Sequence, residues 1–205
     1  MIIALTPEET IDTEKAVLHT LFEKGLDFLH LRKYHFTDLQ MARYVESIDP
    51  AYLEKLVLHS HPHLSAELGI ARIHINEWSR QHSPSSQMNA PIICSTSVHD
   101  ILAFNKLDEC WAYALLSPIF PSISKKGYGR DNAQLNQLPK RVNFTVRLIA
   151  LGGINQANCL LPLQEGADGI ALYGALWQHP DPIQNFIACQ QKLWKNSNTY
   201  HKDKH

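Results

Sequence analysis

Residues 148–175 read LIALGGINQANCLLPLQEGADGIALYGA, and this stretch decides the fold. It opens on Leu148–Gly152, a short apolar run closed by glycine, as a buried strand is. Asn155 then opens a helical segment, and a second apolar run, Gly169–Leu172, follows Gly166-Ala167-Asp168. Strand, helix and strand in so short a span make a βα unit with parallel strands. Each strand runs at once into a small-residue turn, Gly152-Gly153 after the first and Gly174-Ala175 after the second.

The same alternation extends back to the start of the chain. Ile2–Leu5, Phe28–Arg32, Leu56–His59, Ile73–Ile75, Ile92–Ser95 and Trp111–Ser117 read as six earlier strands. Between them lie helical patterns. Asp12 or Thr13 suits the start of the first, and Gly25 its stop. Thr37 caps the second, a short helix spans His63–Leu68, and another follows Ser97. The fourth unit is the weakest, because Ser79–Pro91 has no apolar helical face and reads as a loop or frayed turn. A polar loop runs from Pro118 to about Asn132, and a last helix starts at Asp181-Pro182 and reaches about Trp194. Eight strands alternating with helices predict a single-domain (β/α)8 TIM barrel over residues 1–195, with a polar, disordered tail at 196–205.

Composition narrows the function. With 44% hydrophobic residues in 205, the chain can bury a core without disulfides. A net charge of -1 with mixed signs argues against nucleic acid and anionic membranes as partners. Cys94, Cys110, Cys159 and Cys189 form no CxxC pair and read as small buried hydrophobes. Met1–Leu5 is too short an apolar run for a signal peptide or a membrane span, so a cytoplasmic location is expected. Whether the chain forms a homo-oligomer stays open.

Barrel active sites sit at the C-terminal strand ends, with phosphate commonly held after strands seven and eight. The glycine turns fall there, where backbone can approach an anion closely. Gly166-Ala167-Asp168-Gly169 adds to this reading; the alternative is tight loop geometry with no ligand.

Several blocks resemble the thiamine phosphate synthase superfamily, which also includes thiazole tautomerases. They are His30-Leu31-Arg32, Ser97-Val98-His99, Ser117-Pro118-Ile119-Phe120-Pro121-Ser122-Ile123-Ser124-Lys125, Leu151-Gly152-Gly153-Ile154 and Gly166–Gly169. The resemblance implies a small phosphorylated heterocyclic substrate. Synthases join a pyrimidine diphosphate to a thiazole phosphate and release diphosphate. On that pattern Arg32, Ser97, Ser122, Ser124 and Lys125 would face the departing diphosphate. Backbone at Gly152, Gly153, Gly174 and Ala175 would hold the thiazole phosphate.

The departures are as specific as the matches. The family's Q-L-R-x-K reads His30-Leu31-Arg32-Lys33-Tyr34, which puts Tyr34 at the lysine position. The two aspartates that hold Mg²⁺ in synthases are Ser60 and Ser79 here, and a hydroxyl is a poor substitute for a carboxylate on a hard cation. No metal site is therefore expected, and Mg²⁺ only if synthase activity is retained. Thiazole tautomerases keep the barrel and the thiazole-phosphate site but only move a proton, and His99 matches the histidine given that role. Three functions stay open: tautomerase-like proton transfer, thiamine phosphate synthesis, or a non-catalytic phosphate-ligand protein.

Other side chains carry weaker signals. His59, His61 and His63 alternate near strand three with His74 on strand four, which suggests either a metal site or polar mouth residues. His19, His82, His179, His201 and His205 read as surface residues. Lys125, Lys126 and Arg130 suit either a solvated loop face or a mobile lid that closes over phosphate. Trp78 suits either stacking on a substrate ring or plugging the mouth.

Overall fold

The computed structural model describes residues 1–82, 92–121 and 133–202, with side chains through Lys195. Eight parallel strands close into a barrel in sequence order. They are β1 Ile2–Leu5, β2 Phe28–Leu31, β3 Leu56–Leu58, β4 Arg72–Ile75, β5 Ile93–Val98, β6 Trp111–Leu116, β7 Arg147–Leu151 and β8 Gly169–Leu172. The ring closes where Ile2, Ile3 and Ala4 of β1 pair with Ile170, Ala171 and Leu172 of β8. All eight strands predicted from sequence are present. β5 runs beyond the expected Ser95 to Val98, which carries Ser97 on the strand and leaves His99 just past its end.

Alternation along the strands sorts the core into two bodies. Leu29, Leu31, Leu56, Leu58, Ala114, Leu116, Leu148 and Ala150 face outward and pack under the helices. Ile3, Leu5, Tyr113, Leu115, Ile149 and Ala171 form a separate cluster inside the barrel. The strands of this inner apolar cluster are β1 and β6 to β8. Across the lumen the buried residues of β2, β4 and β5 include His30, His74 and Ser95, where barrels usually place branched aliphatics.

The outer helices are α1 Glu14–Glu23, α2 Asp38–Glu46, α3 Ser65–Leu68, α4 Glu77–His82, α5 Ile101–Asn105, α6 Leu161–Gln164, α7 Gly174–Trp177 and α8 Pro182–Lys202. Thr37 caps α2 through a full capping box with Gln40. Asp181 caps α8 by accepting from the Gln184 N–H at 2.9 Å. Gly25, with φ +90°, ends α1 in the left-handed region, and Leu26 N–H bonds back to the Leu21 carbonyl.

Four expectations change. Thr13 precedes α1 but its helical backbone leaves its hydroxyl no capping bond. Asn155 does not open a helix: its side chain accepts from Ala157 N–H, and Asn158 accepts from Asn155 N–H. These local bonds hold a turn, and the helix waits until Leu161. Residues 79–82, expected as a loop, belong to α4, started by Asn76 accepting from Ser79 N–H. α8 continues past Trp194 to Lys202, into the segment read as a disordered tail.

Three of the four cysteines are buried, but Cys110 is exposed. Among the described residues no helix is long and apolar enough to cross a membrane.

Candidate active site

A cavity of about 320 Å³ opens at the C-terminal ends of the strands, the scale of small-molecule sites. Leu5, Leu115, Leu151 and Ala171 belong to its apolar part. Polar and aromatic walls come from the strand ends: Arg32 and Tyr34 after β2, His59 after β3, Ser97 and His99 at β5, Ser117 after β6, and Tyr173 after β8. Gly152, Gly153 and Gly174 complete the wall.

The backbone at the first glycine pair is dictated by packing. Gly152 and Gly153 have φ +104° and +66°, which side chains disfavour. A Cβ on Gly153 would stand 2.4 Å from the Pro121 carbonyl oxygen, so the chain after β6 lies directly against this turn. Loop geometry thus accounts for these glycines, and the same geometry brings their backbone to the cavity.

Arg32 is the one lysine or arginine among the described residues lining the cavity. Its backbone N–H donates to Thr6 Oγ1 at 2.8 Å. Its guanidinium pairs with Glu8 and lies 5.5 Å and 5.9 Å from the Tyr34 and Tyr173 ring centroids. Glu8 therefore fixes the cation's position while offsetting part of its charge.

His99 is held from one side. Its Nδ1 lies 3.0 Å from the Ser117 carbonyl oxygen, which can only accept, so Nδ1 carries the proton. That leaves Nε2 as the nitrogen that exchanges a proton, with Glu77 3.9 Å away. Glu77 is also paired with Arg80 at 3.2 Å.

Ser97 is less available than the sequence suggests. The Ser95 hydroxyl donates to the Ile73 carbonyl at 3.2 Å, so it accepts from His74 Nδ1 at 2.9 Å. His74 Nε2 is then an acceptor and takes the Ser97 hydroxyl proton at 2.8 Å. Ser97 faces the cavity with acceptor lone pairs, its one proton turned inward.

Beneath these residues lies a histidine cluster in which His59 and His74, which the sequence pattern groups, are joined by His30, which it does not. His30 and His59 place their Nδ1 atoms 3.0 Å apart, and His30 Nε2 lies 2.7 Å from the Tyr113 hydroxyl. His59 and His74 stack with centroids 4.1 Å apart. Burial pushes all three imidazoles below their ordinary value near 6.5, His74 to about 3. They are held neutral. His61 and His63 do not join: His61 bonds Ser60 and the Phe36 carbonyl, and His63 pairs with Asp38 at the surface.

Other expected site residues fall elsewhere. Ser122, Ser124 and Lys125, and with them the lid, lie outside the described residues. Ala175 is buried behind Gly174 rather than on the wall. Gly166–Gly169 lies at the opposite end of the barrel, where Asp168 pairs with Arg141 at 2.8 Å and accepts from Leu148 N–H. Gly169 is required there because a Cβ would stand 2.6 Å from the Met1 carbonyl. Trp78 is 68% exposed and stacks on His82 instead of plugging the mouth.

The residues at the two family aspartate positions do not fit Mg²⁺. Ser60 is buried, accepting from Lys33 N–H and donating to the Leu31 carbonyl. Ser79 sits on α4, and Glu77 beside it is engaged by Arg80 and His99. A hard cation needs carboxylate oxygens that these positions lack.

A closed (β/α)8 barrel with its cavity at the strand C-termini is the scaffold of TIM-barrel enzymes. Residues 2–176 match the TMP-TENI family, thiamine monophosphate synthase, and the chain belongs to that family. Among relatives, it is 27% identical over 173 residues to a thiamine-phosphate synthase of Lysinibacillus sphaericus, covering 80% of this chain and 81% of that one. It is also 27% identical over 193 residues to one from Listeria monocytogenes, covering 87% and 89%. Its fold is similar to thiamine phosphate pyrophosphorylase of Bacteroides thetaiotaomicron, with TM-score 0.75, 25% identity and coverage of 93% and 95%.

Proposed function

We propose that this thiamine-biosynthesis family enzyme binds a thiazole phosphate and moves a proton on it, as a thiazole tautomerase does. The observation that carries the reading is His99, whose Nδ1 is committed to the Ser117 carbonyl while Nε2 stays available at the cavity wall. In this reading Nε2 takes a proton from one carbon of the carboxythiazole and returns it to another, so atoms and charge balance within one substrate. A base positioned this way contributes about 10²–10⁴-fold. The Gly152–Gly153 and Gly174 turns supply backbone for the phosphate, and Arg32 supplies charge at the wall. On the same reading the enzyme works in the cytoplasm.

Synthase chemistry is the second reading, favoured by the synthase names of the similar proteins and by Arg32 at the cavity. It is disfavoured by the donor set at Ser60 and Ser79. The test offers purified protein the carboxythiazole phosphate tautomer, and separately the pyrimidine diphosphate with thiazole phosphate and Mg²⁺. Turnover of the first alone supports proton transfer. Mg²⁺-dependent coupling in the second overturns it, and tight thiazole-phosphate binding with neither reaction replaces it with a non-catalytic role.

A further inference from the structure

We propose that His30, His59 and His74 form a binding site for one zinc-like divalent cation inside the barrel mouth. One ring nitrogen from each of the three lies within 4.8 Å of the others. Tetrahedral zinc with Zn–N near 2.0–2.1 Å sets its nitrogens about 3.4 Å apart. The Nδ1 atoms of His30 and His59, at 3.0 Å, already stand near that spacing. A His74 ring nitrogen is the third donor, within 4.8 Å of the other two.

The donors come from β2, the end of β3 and β4, three neighbouring strands of the barrel wall, so the backbone holds them in place. Histidine ligands usually give their other ring N–H to an oxygen, which fixes the ring. Such oxygens are present: the Tyr113 hydroxyl at His30 Nε2, and at His74 a Ser95 or Ser97 hydroxyl on each nitrogen. Whichever His74 nitrogen does not bind the metal keeps its partner, while the other gives its partner up. His59 is half-buried and lines the cavity, so a fourth coordination position opens toward a ligand. Three imidazoles and no carboxylate select zinc or cobalt over Mg²⁺ or Ca²⁺. Barrel interiors are normally filled by branched aliphatics, so three imidazoles here depart from ordinary barrel packing. The inference stands on these positions alone and is independent of which heterocycle the enzyme turns over.

The test uses full-length protein stripped with chelator, then titrated with Co²⁺ and Zn²⁺ and assayed by elemental analysis after dialysis. One equivalent per chain is expected, with the strong visible absorption of tetrahedral Co²⁺ and a rise in Tm. His59→Gln, at the half-exposed member, should abolish the cobalt spectrum while far-UV circular dichroism stays native. Tyr113→Phe should weaken Zn²⁺ about 10–100-fold. The control His61→Gln/His63→Gln should bind as the parent does. Substoichiometric metal in the parent, or metal retained at full affinity in His59→Gln, overturns the site. So does loss of binding in the control.

Discussion

His99 Nδ1 stands 3.0 Å from the carbonyl oxygen of Ser117, the residue just after β6, while the histidine follows β5. The bond ties two neighbouring strand ends together and selects the tautomer with Nε2 unprotonated. Because the imidazole is half exposed and packs little, its removal tests chemistry rather than folding. His99→Asn should lower tautomerase kcat by about 10²–10⁴-fold and leave Tm almost unchanged. Steady-state kinetics beside a melting curve checks both, and an unaltered kcat dismisses His99 as the base.

Gly153 makes a different kind of claim. Its φ is +66°, and a Cβ added there would meet the Pro121 carbonyl at 2.4 Å, so any side chain forces the β6 loop away. Gly153→Ala should cost at least about 2 kcal/mol, since a strained backbone alone costs about 1–3. Denaturant midpoints measure this. Thiazole-phosphate affinity should fall with it, because the displaced turn forms part of the cavity wall.

How far the sequence could be read follows from the range of each interaction. Strands such as Phe28–Leu31 and Gly169–Leu172 were legible because their apolar runs and glycine boundaries are local. Thr37 and Asp181 were legible as caps for the same reason. Arg32, His99 and Gly152–Gly153 reach one cavity from positions after the strands, and Ser97 reaches it from within β5. What stayed hidden depends on contacts across the lumen. His30 read as part of a motif beside Arg32, yet it meets residues 29 and 83 positions away. His61 looked equivalent to His59, but a left-handed backbone at φ 58° turns it out of the strand pattern. Glu8, which holds Arg32, gave no local signal at all.

Lys33 shows the same limit and yields a stability test. It lies next to Arg32 in sequence but is fully buried, with Nζ 2.8 Å from Glu14 Oε2 of α1. Tyr44 of α2 donates to the other carboxylate oxygen at 2.5 Å. The triad pins both helices to the end of β2. Glu14→Ala leaves a buried ammonium without its counter-charge and should cost about 3–5 kcal/mol. Replacing both members, Glu14→Leu with Lys33→Met, should recover most of that loss. A double variant as weak as the single one would show that the pair itself, rather than the orphaned charge, carries the stability.

Acid should unfold the metal-free protein earlier than its surface charges would suggest. His30, His59 and His74 are held below the ordinary value near 6.5, mainly by burial, with mutual repulsion adding at His30 and His59 and Arg32 adding at His59. In the unfolded chain these imidazoles bind protons as pH falls through about 6.5, whereas folded His74 waits until about 3. The unfolded state therefore holds more protons in that window, so stability rises with pH there. It is fully present above the unfolded value and is lost as pH drops toward 3. At pH 5.5 each group contributes a loss on the order of 1 kcal/mol, and the three together a few kcal/mol. Urea midpoints at pH 7.5 and 5.5 measure the sum, and His74→Gln should remove about a third of the difference. A midpoint that does not move between these pH values would mean that the cluster is not held neutral.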